Sequence, residues 1–189
     1  MSARSTPPRW SSTDERPAAD SLAHDLVAVV VVKGGRIAIA ALSLSASALV
    51  GIAGWEQYRG EAYLPTPQDV PTLGWGSTDG VKLGARTTPD RALVRLLADA
   101  DKHQRELKRC IGDVPLFQHE FDAYTSWAYN VGTGAACSST LVRKLRADPP
   151  DYPGACRELL RWDKQAGRVL PGLTKRRQAE YQTCVGEAP

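Results

Sequence analysis

Residues 54–78 have the sequence "GWEQYRGEAYLPTPQDVPTLGWGST", and within them a weakly apolar run gives way to a chain dense in proline and glycine. Glu56 is a lone acidic residue at this junction and directly follows Trp55. One carboxylate is therefore placed between a candidate helix and a candidate hairpin.

On the C-terminal side of Glu56, the proline and glycine content excludes a helix. Short strands joined by turns are predicted near 61–64 and 71–77. The Asp79-Gly80 turn is expected to lead into another extended stretch at 81–83.

Beyond the hairpin the pattern becomes helical. Thr88 suits an N-cap, with Pro89 at the first helical position. Apolar residues then recur at helical spacing and predict a buried face. That face comprises Leu93, Leu96, Leu97, Ala100 and Leu107.

Four further helices follow from the same pattern, and the glycines after residue 131 are expected to stop the first of them. They cover 115–131, 139–145, 153–165 and 171–184. We therefore predict an α+β fold, mostly helical, with one small antiparallel sheet near the start of the domain.

Length and charge limit the function classes. The 189 residues suffice for one ordinary domain plus a tail. The net charge of +3 is too mild for a dedicated nucleic-acid binder, but it suits work near an anionic polymer. No nucleic-acid partner is expected, and a monomer is the default expectation.

The four cysteines are Cys110, Cys137, Cys156 and Cys184. They lack C-x-x-C spacing and nearby histidines, which argues against a zinc site. Two disulfides in an oxidising compartment are favoured over four free thiols in a cytosolic protein. Counting alone leaves three possible pairings open.

The N-terminal part contains a candidate membrane segment. Residues 1–25 lack an apolar period, and a disordered tail is predicted at 1–33. The uncharged run 37–54 would extend roughly 27 Å as a helix, just enough to cross a bilayer. It is rich in alanine, serine and glycine, so it buries little apolar area.

Three interpretations of this run stay open. It can be a cleaved signal peptide, a marginal span that inserts and later leaves the membrane, or a buried helix of the domain. Lys33 and Arg36 precede the run, which predicts that residues 1–36 remain in the cytoplasm.

Glu56 is the first candidate for chemistry. A carboxyl beside an indole loses hydration, which favours its protonated form and makes it a proton donor. Hydrolysis of a glycosidic bond needs such a donor and a second group that holds the attacking water. Asp69 and Thr72 on the predicted hairpin are the candidates for that second role. The alternative is that Glu56 only caps a helix.

Three stretches carry a resemblance to a known family. The segment from Trp55 resembles the opening motif of the phage lysozymes of glycoside hydrolase family 24. "FQHEFDAYTSWAYNVGTGAACSSTLVRKL" resembles the family's central helix, and "GACRELLRWDKQAGRVLPGLTKRRQAEYQTC" its C-terminal helices. The residues matching the opening motif are Glu56, Arg59, Ala62, Tyr63, Thr72, Leu73, Gly74, Trp75 and Gly76.

The resemblance implies a lysozyme-like fold and a muramidase. Such an enzyme cuts the β-1,4 bond between N-acetylmuramic acid and N-acetylglucosamine in peptidoglycan, with inversion and without metal or organic cofactor. It implies that Glu56 is the proton donor, and the match at Tyr63 disfavours Glu61 for that role. The rival from another class is a non-catalytic peptidoglycan-binding protein.

The sequence departs from the family pattern at the hairpin. The family has an Asp nine residues after the Glu and six before the Thr. In this chain, the residue nine positions after Glu56 is Pro65, and the residue six positions before Thr72 is Thr66. Neither position holds an Asp. Asp69 is the only carboxylate on this turn, so one possibility is that it reaches into the cleft from a different place. The alternative is that Thr72 and Thr66 hold the water without a carboxylate.

The run 37–54 resembles the N-terminal span of the signal-anchor-release endolysins within this family. This implies a tail at 1–33, an anchor at 34–54 and a catalytic domain at 55–189. It also implies a protein tethered to the inner membrane, then released to the periplasm, where the anchor refolds onto the domain.

Two pairings complete the sequence-based predictions. The helix positions favour Cys110 with Cys137, and Cys156 with Cys184. Trp127 and Trp162 are expected in the core. Arg176 and Arg177 are expected either to line the substrate groove or to be solvated.

Overall fold

The structure, a computed structural model that describes residues 35–187, is mostly helical with two small antiparallel sheets. This confirms the predicted α+β class. In chain order the elements are a 3₁₀ helix at Ile39–Ala41, α1 at Ala46–Trp55, β1 at Arg59–Tyr63, β2 at Thr72–Gly74, α2 at Pro89–Ile111, α3 at Gln118–Val131, α4 at Thr133–Cys137, α5 at Thr140–Leu145, α6 at Tyr152–Leu159, β3 at Lys164–Gln165, β4 at Arg168–Val169 and α7 at Pro171–Cys184.

The core is built around α3. Every residue from Glu120 to Ala128 is buried, so this helix is enclosed on all sides. Trp127 is fully buried, as predicted, and the half-buried Trp162 packs edge-to-face against it with ring centroids 5.2 Å apart. A helix this enclosed must satisfy its polar side chains internally, which bears on the site below.

Helix α2 begins at Pro89, as predicted, but its buried face differs from the predicted one. Leu93 and Leu97 are 42% and 53% exposed, so their assignment to the core was wrong. The helix turns 100° per residue, and the stripe that faces α3 passes through Leu96 rather than its neighbours. The buried residues of α2 are Ala92, Leu96, Ala100, Leu107 and Ile111.

The predicted hairpin is present, with shorter strands. In the β1–β2 pairing Arg59 lies opposite Gly74 and Tyr63 opposite Thr72, with an irregular register between them. The extended stretch predicted at 81–83 was wrong, because those residues lie among turns. The bridge to β1 instead joins Arg86 to Glu61.

Two helix boundaries differ from prediction for local reasons. Helix α3 starts three residues after Pro115, because Leu116 pairs with Ile37 through two backbone hydrogen bonds of 2.9 Å. Helix α6 ends at Leu159 rather than near 165. Ala166 and Gly167 both adopt positive φ, the conformation of a type I′ turn, and close the β3–β4 hairpin. Helix α4 was not predicted.

Both predicted disulfides are confirmed. Cys110 joins Cys137, linking the end of α2 to α4, and Cys156 joins Cys184, linking α6 to α7. Their sequence separations are 27 and 28 residues. Loops of this length constrain the unfolded chain, and each bond contributes about 3.5 kcal/mol to stability on that account.

The candidate anchor run packs on the domain in this structure. Ile39, Leu42 and Ile52 are 3%, 1% and 0% exposed, and the first two belong to the main hydrophobic cluster. Helix α1, Ala46–Trp55, covers the C-terminal half of the run and extends one residue beyond it. Among residues 35–187 no helix combines the length and apolarity needed to cross a membrane.

The neighbouring leucines of α2 provide a test of the core. Leu96 is fully buried whereas Leu97 is half exposed. We expect Leu96→Ala to lower the free energy of unfolding by about 2–5 kcal/mol, because it removes buried methyl groups and leaves a cavity. Leu97→Ala should change it by less than about 0.5 kcal/mol. Urea unfolding followed by circular dichroism measures both, and equal losses would contradict the burial pattern.

Candidate active site

Glu56 is held at the C-terminal end of α1. Its backbone N–H donates to the carbonyl oxygen of Ile52 at 3.2 Å, and Ile52 is fully buried. The packing of α1 on the domain therefore determines where Glu56 lies. Its side chain is 25% exposed, so the carboxyl is partly screened yet reachable from solvent.

Arg176 of α7 is the ionic partner of Glu56. Its Nη1 donates to Glu56 Oε1 at 2.9 Å, although the two residues are 120 positions apart. The guanidinium is buried and makes two further contacts, from Nε to Glu180 Oε1 at 3.2 Å and from Nη2 to the carbonyl oxygen of Ser126 at 3.4 Å. Three fixed acceptors leave this guanidinium little freedom to rotate.

The hairpin approaches Glu56 from the other side. Gly76 has a φ of +87°, and a Cβ at that position would lie 3.5 Å from Glu56 Oε2. A side chain here would be strained and would crowd the carboxyl. Arg176 binds Oε1, so the oxygen that faces Gly76 is the one that Arg176 does not bind.

Two hydrogen bonds tie this loop to the helices. Tyr129 Oη donates to the carbonyl oxygen of Trp75 at 3.2 Å, and Ser77 Oγ donates to Asp99 Oδ2 at 2.6 Å. Burial raises the pKa of Tyr129, and the nearby carboxylates of Asp99 and Glu56 raise it further. The hydroxyl therefore stays protonated and acts as a donor.

An open cleft of about 430 Å³ lies next to Glu56. Asn130 stands on its rim, and its Oδ1 accepts a hydrogen bond of 2.8 Å from Arg177 Nη2. Gly172 and Leu173 at the start of α7 form part of the opposite wall. The residues that line the cleft are Trp55, Glu56, Asn130, Leu170, Gly172, Leu173 and Arg176.

A buried carboxylate lies directly behind the cleft. Glu180 is 3% exposed and contacts both Arg176 and Arg177, with Arg177 Nε 3.0 Å from its Oε2. Burial raises the pKa of Glu180, whereas the two guanidinium groups act in the opposite direction. Burial likewise lowers the pKa of Arg177. Acidic and basic groups thus alternate behind the cleft, from Arg177 through Glu180 and Arg176 to Glu56.

The predicted water-holding residues occupy different environments. Thr72 is buried in β2, and its Oγ1 donates to the carbonyl oxygen of Val70 at 3.2 Å. Asp69 is exposed, and its backbone N–H donates to the carbonyl oxygen of Thr66 at 3.1 Å, so these two residues share one turn. Within the described part of the chain, neither residue forms a hydrogen bond or ion pair with Glu56.

The sequence interpretation left the environment of two arginines undecided and missed the role of Tyr129. Arg176 lines the cleft, one of the two options left open, but neither Arg176 nor Arg177 is solvated, since both are buried. The signal was their position beside Glu180 at helical spacing of three and four residues. Tyr129 had no such signal, because only the fold brings it near Trp75.

Comparisons with known proteins agree on one family. The family model described as phage lysozyme matches residues 53–180. The chain is 40% identical over 113 residues to an endolysin of Acyrthosiphon pisum secondary endosymbiont phage 1, covering 58% of this chain and 75% of that protein. It is 32% identical over 144 residues to the SAR-endolysin of Pseudomonas phage phiKMV, covering 74% and 87%.

The fold leads to the same group. The structure is similar to that of an endolysin from Escherichia coli O157:H7 phage FAHEc1, with a TM-score of 0.67 and 31% sequence identity. The similarity covers 79% of this chain and 98% of that chain.

Proposed function

The chain belongs to the phage lysozyme family, and on that premise we propose that it is a muramidase that cuts the β-1,4 bond between N-acetylmuramic acid and N-acetylglucosamine in peptidoglycan. The observation that carries the proposal is Glu56, which lines an open cleft with one carboxyl oxygen bound by Arg176 and the other facing the hairpin. Host-cell lysis is the biological role that accompanies this activity.

In the proposed mechanism Glu56 acts as the general acid. A glycan strand lies in the cleft, and the carboxyl donates its proton to the glycosidic oxygen as the bond breaks. Arg176 then stabilises the carboxylate that remains, because its guanidinium is already fixed 2.9 Å away. A water molecule attacks the anomeric carbon from the opposite face and inverts its configuration, using only protein groups and water.

The hairpin supplies the group that orients this water. We propose Asp69 for this role, because it is the carboxylate on the β1–β2 loop, with Thr72 supporting the loop geometry through its bond to Val70. The alternative assigns the water to Thr66 and Thr72. Asp69 and Thr66 lie in one turn, so a small movement of that turn presents either of them.

A non-catalytic peptidoglycan-binding role is the alternative from another class. It was motivated by the missing family Asp, and membership of the lysozyme family disfavours it. The intact proton-donor side of the cleft also speaks against it, since a binding protein has no need for a carboxyl held by a buried arginine.

The first test replaces the proton donor. We expect Glu56→Gln to lower kcat by about 10²–10⁴-fold, because the amide cannot protonate the leaving oxygen. The measurement is release of new reducing ends from purified cell wall. Glu61→Gln is the matched control, since Glu61 is exposed on the same hairpin and pairs with Arg86. Full activity in Glu56→Gln would refute the assignment, and inactive wild-type protein that still binds cell wall would favour the binding role.

A second test separates the candidates for water orientation. We expect Asp69→Asn to lower kcat by at least about tenfold with KM nearly unchanged, because the carboxylate acts on water rather than on sugar binding. Thr66→Val, in the same turn, should retain most of the activity. The reverse result, with Thr66→Val impaired and Asp69→Asn active, would transfer the role to Thr66.

We further propose that residues 37–54 tether the protein to the inner membrane before release into the periplasm, where the segment docks as in this structure. A relative bears the name SAR-endolysin. The apolar contacts of Ile39, Leu42 and Ile52 with the domain replace contacts with lipid. Because α1 ends at Glu56, the active cleft is complete only when the segment is docked.

Polar side chains of the domain capture the extended backbone of the docked segment. Asp122 Oδ1 accepts from the Ser45 N–H at 2.9 Å, and Gln104 Oε1 accepts from the Leu44 N–H at 2.9 Å. Gln118 and Lys108 donate to the carbonyl oxygens of residues 43 and 42. These groups would be hydrated or unpaired without the segment, which makes docking specific as well as hydrophobic.

Arg36 directly precedes the docked segment, and its side chain is bound by the domain. It donates three hydrogen bonds to the buried Glu120, of 2.7, 3.0 and 3.3 Å, and stacks on the ring of Tyr152 with its Cζ 3.6 Å from the centroid. Phe117 covers the other side at 4.5 Å. The cation that would remain at the membrane surface thus becomes a partner of a buried carboxylate.

The tethering proposal is tested by making the span more apolar. A Cβ at Gly51 meets nothing within 4 Å, and Ala46 is exposed, so leucine fits both positions of the docked segment. In lipid the two leucines add about 5 kcal/mol of burial. We expect wild-type protein to move from the membrane to the soluble fraction when the potential is collapsed, and Ala46→Leu/Gly51→Leu to stay in the membrane.

Ser138→Leu, on the exposed end of α4, controls for added hydrophobicity outside the segment and should fractionate like wild type. Wild-type protein that is soluble before the potential is collapsed would contradict tethering.

A further inference from the structure

We propose that Glu180, which is buried and outside the cleft, is a positioning residue that sets the orientation of Arg176 and through it the placement of Glu56. The inference rests on the proposed function, since it concerns how the side chains of that cleft are kept in position. It adds a functional residue that no substrate atom touches.

Three polar groups lie against the carboxylate of Glu180. Arg176 Nε lies 3.2 Å from Oε1, Ser126 Oγ lies 3.0 Å from the same oxygen, and Arg177 Nε lies 3.0 Å from Oε2. The side chain is 4% exposed. A carboxylate so fully removed from water is costly unless it is paired, and here its charge is shared by two guanidinium groups.

The two arginines connect Glu180 to the residues that line the cleft. Arg176 reaches Glu56 at 2.9 Å, and Arg177 reaches Asn130 at 2.8 Å. Both end points line the cleft. Through the two arginines, the buried carboxylate of Glu180 therefore holds two cleft residues in position. These are Glu56 at the end of α1 and Asn130 in α3.

Charge balance explains why a carboxylate is required between Arg176 and Arg177. Arg176 and Arg177 are adjacent in sequence and both buried, so their like charges repel in a medium of low dielectric. Glu180 lies one helical turn from both and neutralises them on the inner side. Without its charge, the charge-assisted bond to Arg176 Nε is weakened and the two like charges are no longer neutralised, so the guanidinium can rotate away from the geometry that places Nη1 on Glu56.

The test is Glu180→Gln, which keeps size and one acceptor oxygen but removes the charge. A displacement of about 1 Å at the proton donor can cost about 10²-fold in rate. We expect kcat on purified cell wall to fall by about 10–100-fold with KM changed less than about threefold. Tyr124→Phe is the control, because it removes a buried hydroxyl from α3 near the disulfide sulfur of Cys156, and this hydroxyl makes no hydrogen bond to Glu180, Arg176 or Arg177.

A double variant distinguishes positioning from a general loss of packing. If Glu180 acts through Arg176, then Arg176→Gln/Glu180→Gln is no slower than Arg176→Gln alone. Additive losses, or a kcat loss equal to that of Tyr124→Phe at matched folded fraction, would overturn the inference. Ser126→Ala is the gentler variant if Glu180→Gln does not fold, and we expect it to lower kcat by about 2–5-fold.

A spectroscopic measurement keeps this inference separate from the proposed activity. The Nε–H of Arg176 is held by Glu180 in the wild type, so its NMR resonance should exchange slowly with water and shift in Glu180→Gln. An unchanged resonance would overturn the positioning role even if the enzyme were active. An inactive wild type would instead refute the muramidase assignment, while the resonance would still report on the bond between Arg176 and Glu180.

Discussion

The ion pair between Glu56 and Arg176 is the contact on which the candidate site depends. It joins the end of α1 to α7 across 120 residues of sequence and fixes one oxygen of the proposed proton donor. Neither partner could hold this geometry alone, because an isolated half-exposed ion pair contributes little and rotates freely. It is held because Arg176 is buried and bound on its inner side by Glu180 and Ser126.

This constraint links catalysis to the fate of the N-terminal segment. Glu56 is the C-cap of α1, and α1 is placed by Ile52 and by the captured backbone before Ser45. Any state in which the segment lies elsewhere removes the support of Glu56, the proposed proton donor. The same residues that would make a weak membrane span also make a compact docked helix, since small side chains suit both environments.

The rest of the fold supplies rigidity around this point. Helix α3 is buried along its length and contributes Ser126, Tyr129 and Asn130 to the walls of the site. The two disulfides tie α4 to α2 and α7 to α6, so the helix that carries both arginines is fixed at its C-terminal end. The hairpin is the less constrained side, with Asp69 exposed in a turn, and it is there that the chain departs from its family.

Local pattern by itself predicted the long helices, the hairpin and the candidacy of Glu56, because periodicity, turn residues and caps act over a few positions. The predicted helix positions then favoured the disulfide pairs, but the short α4 was not predicted. Local pattern misjudged Leu93 and Leu97, since two rows of leucine at helical spacing do not reveal which row meets α3. It also missed β3 and β4, where two positive φ values override a helical pattern. Only the tertiary structure decided that Arg176 binds Glu56, that Glu180 lies behind it and that Tyr129 holds the loop at Trp75. Those contacts join residues far apart in sequence, and their energies depend on burial that no local pattern encodes.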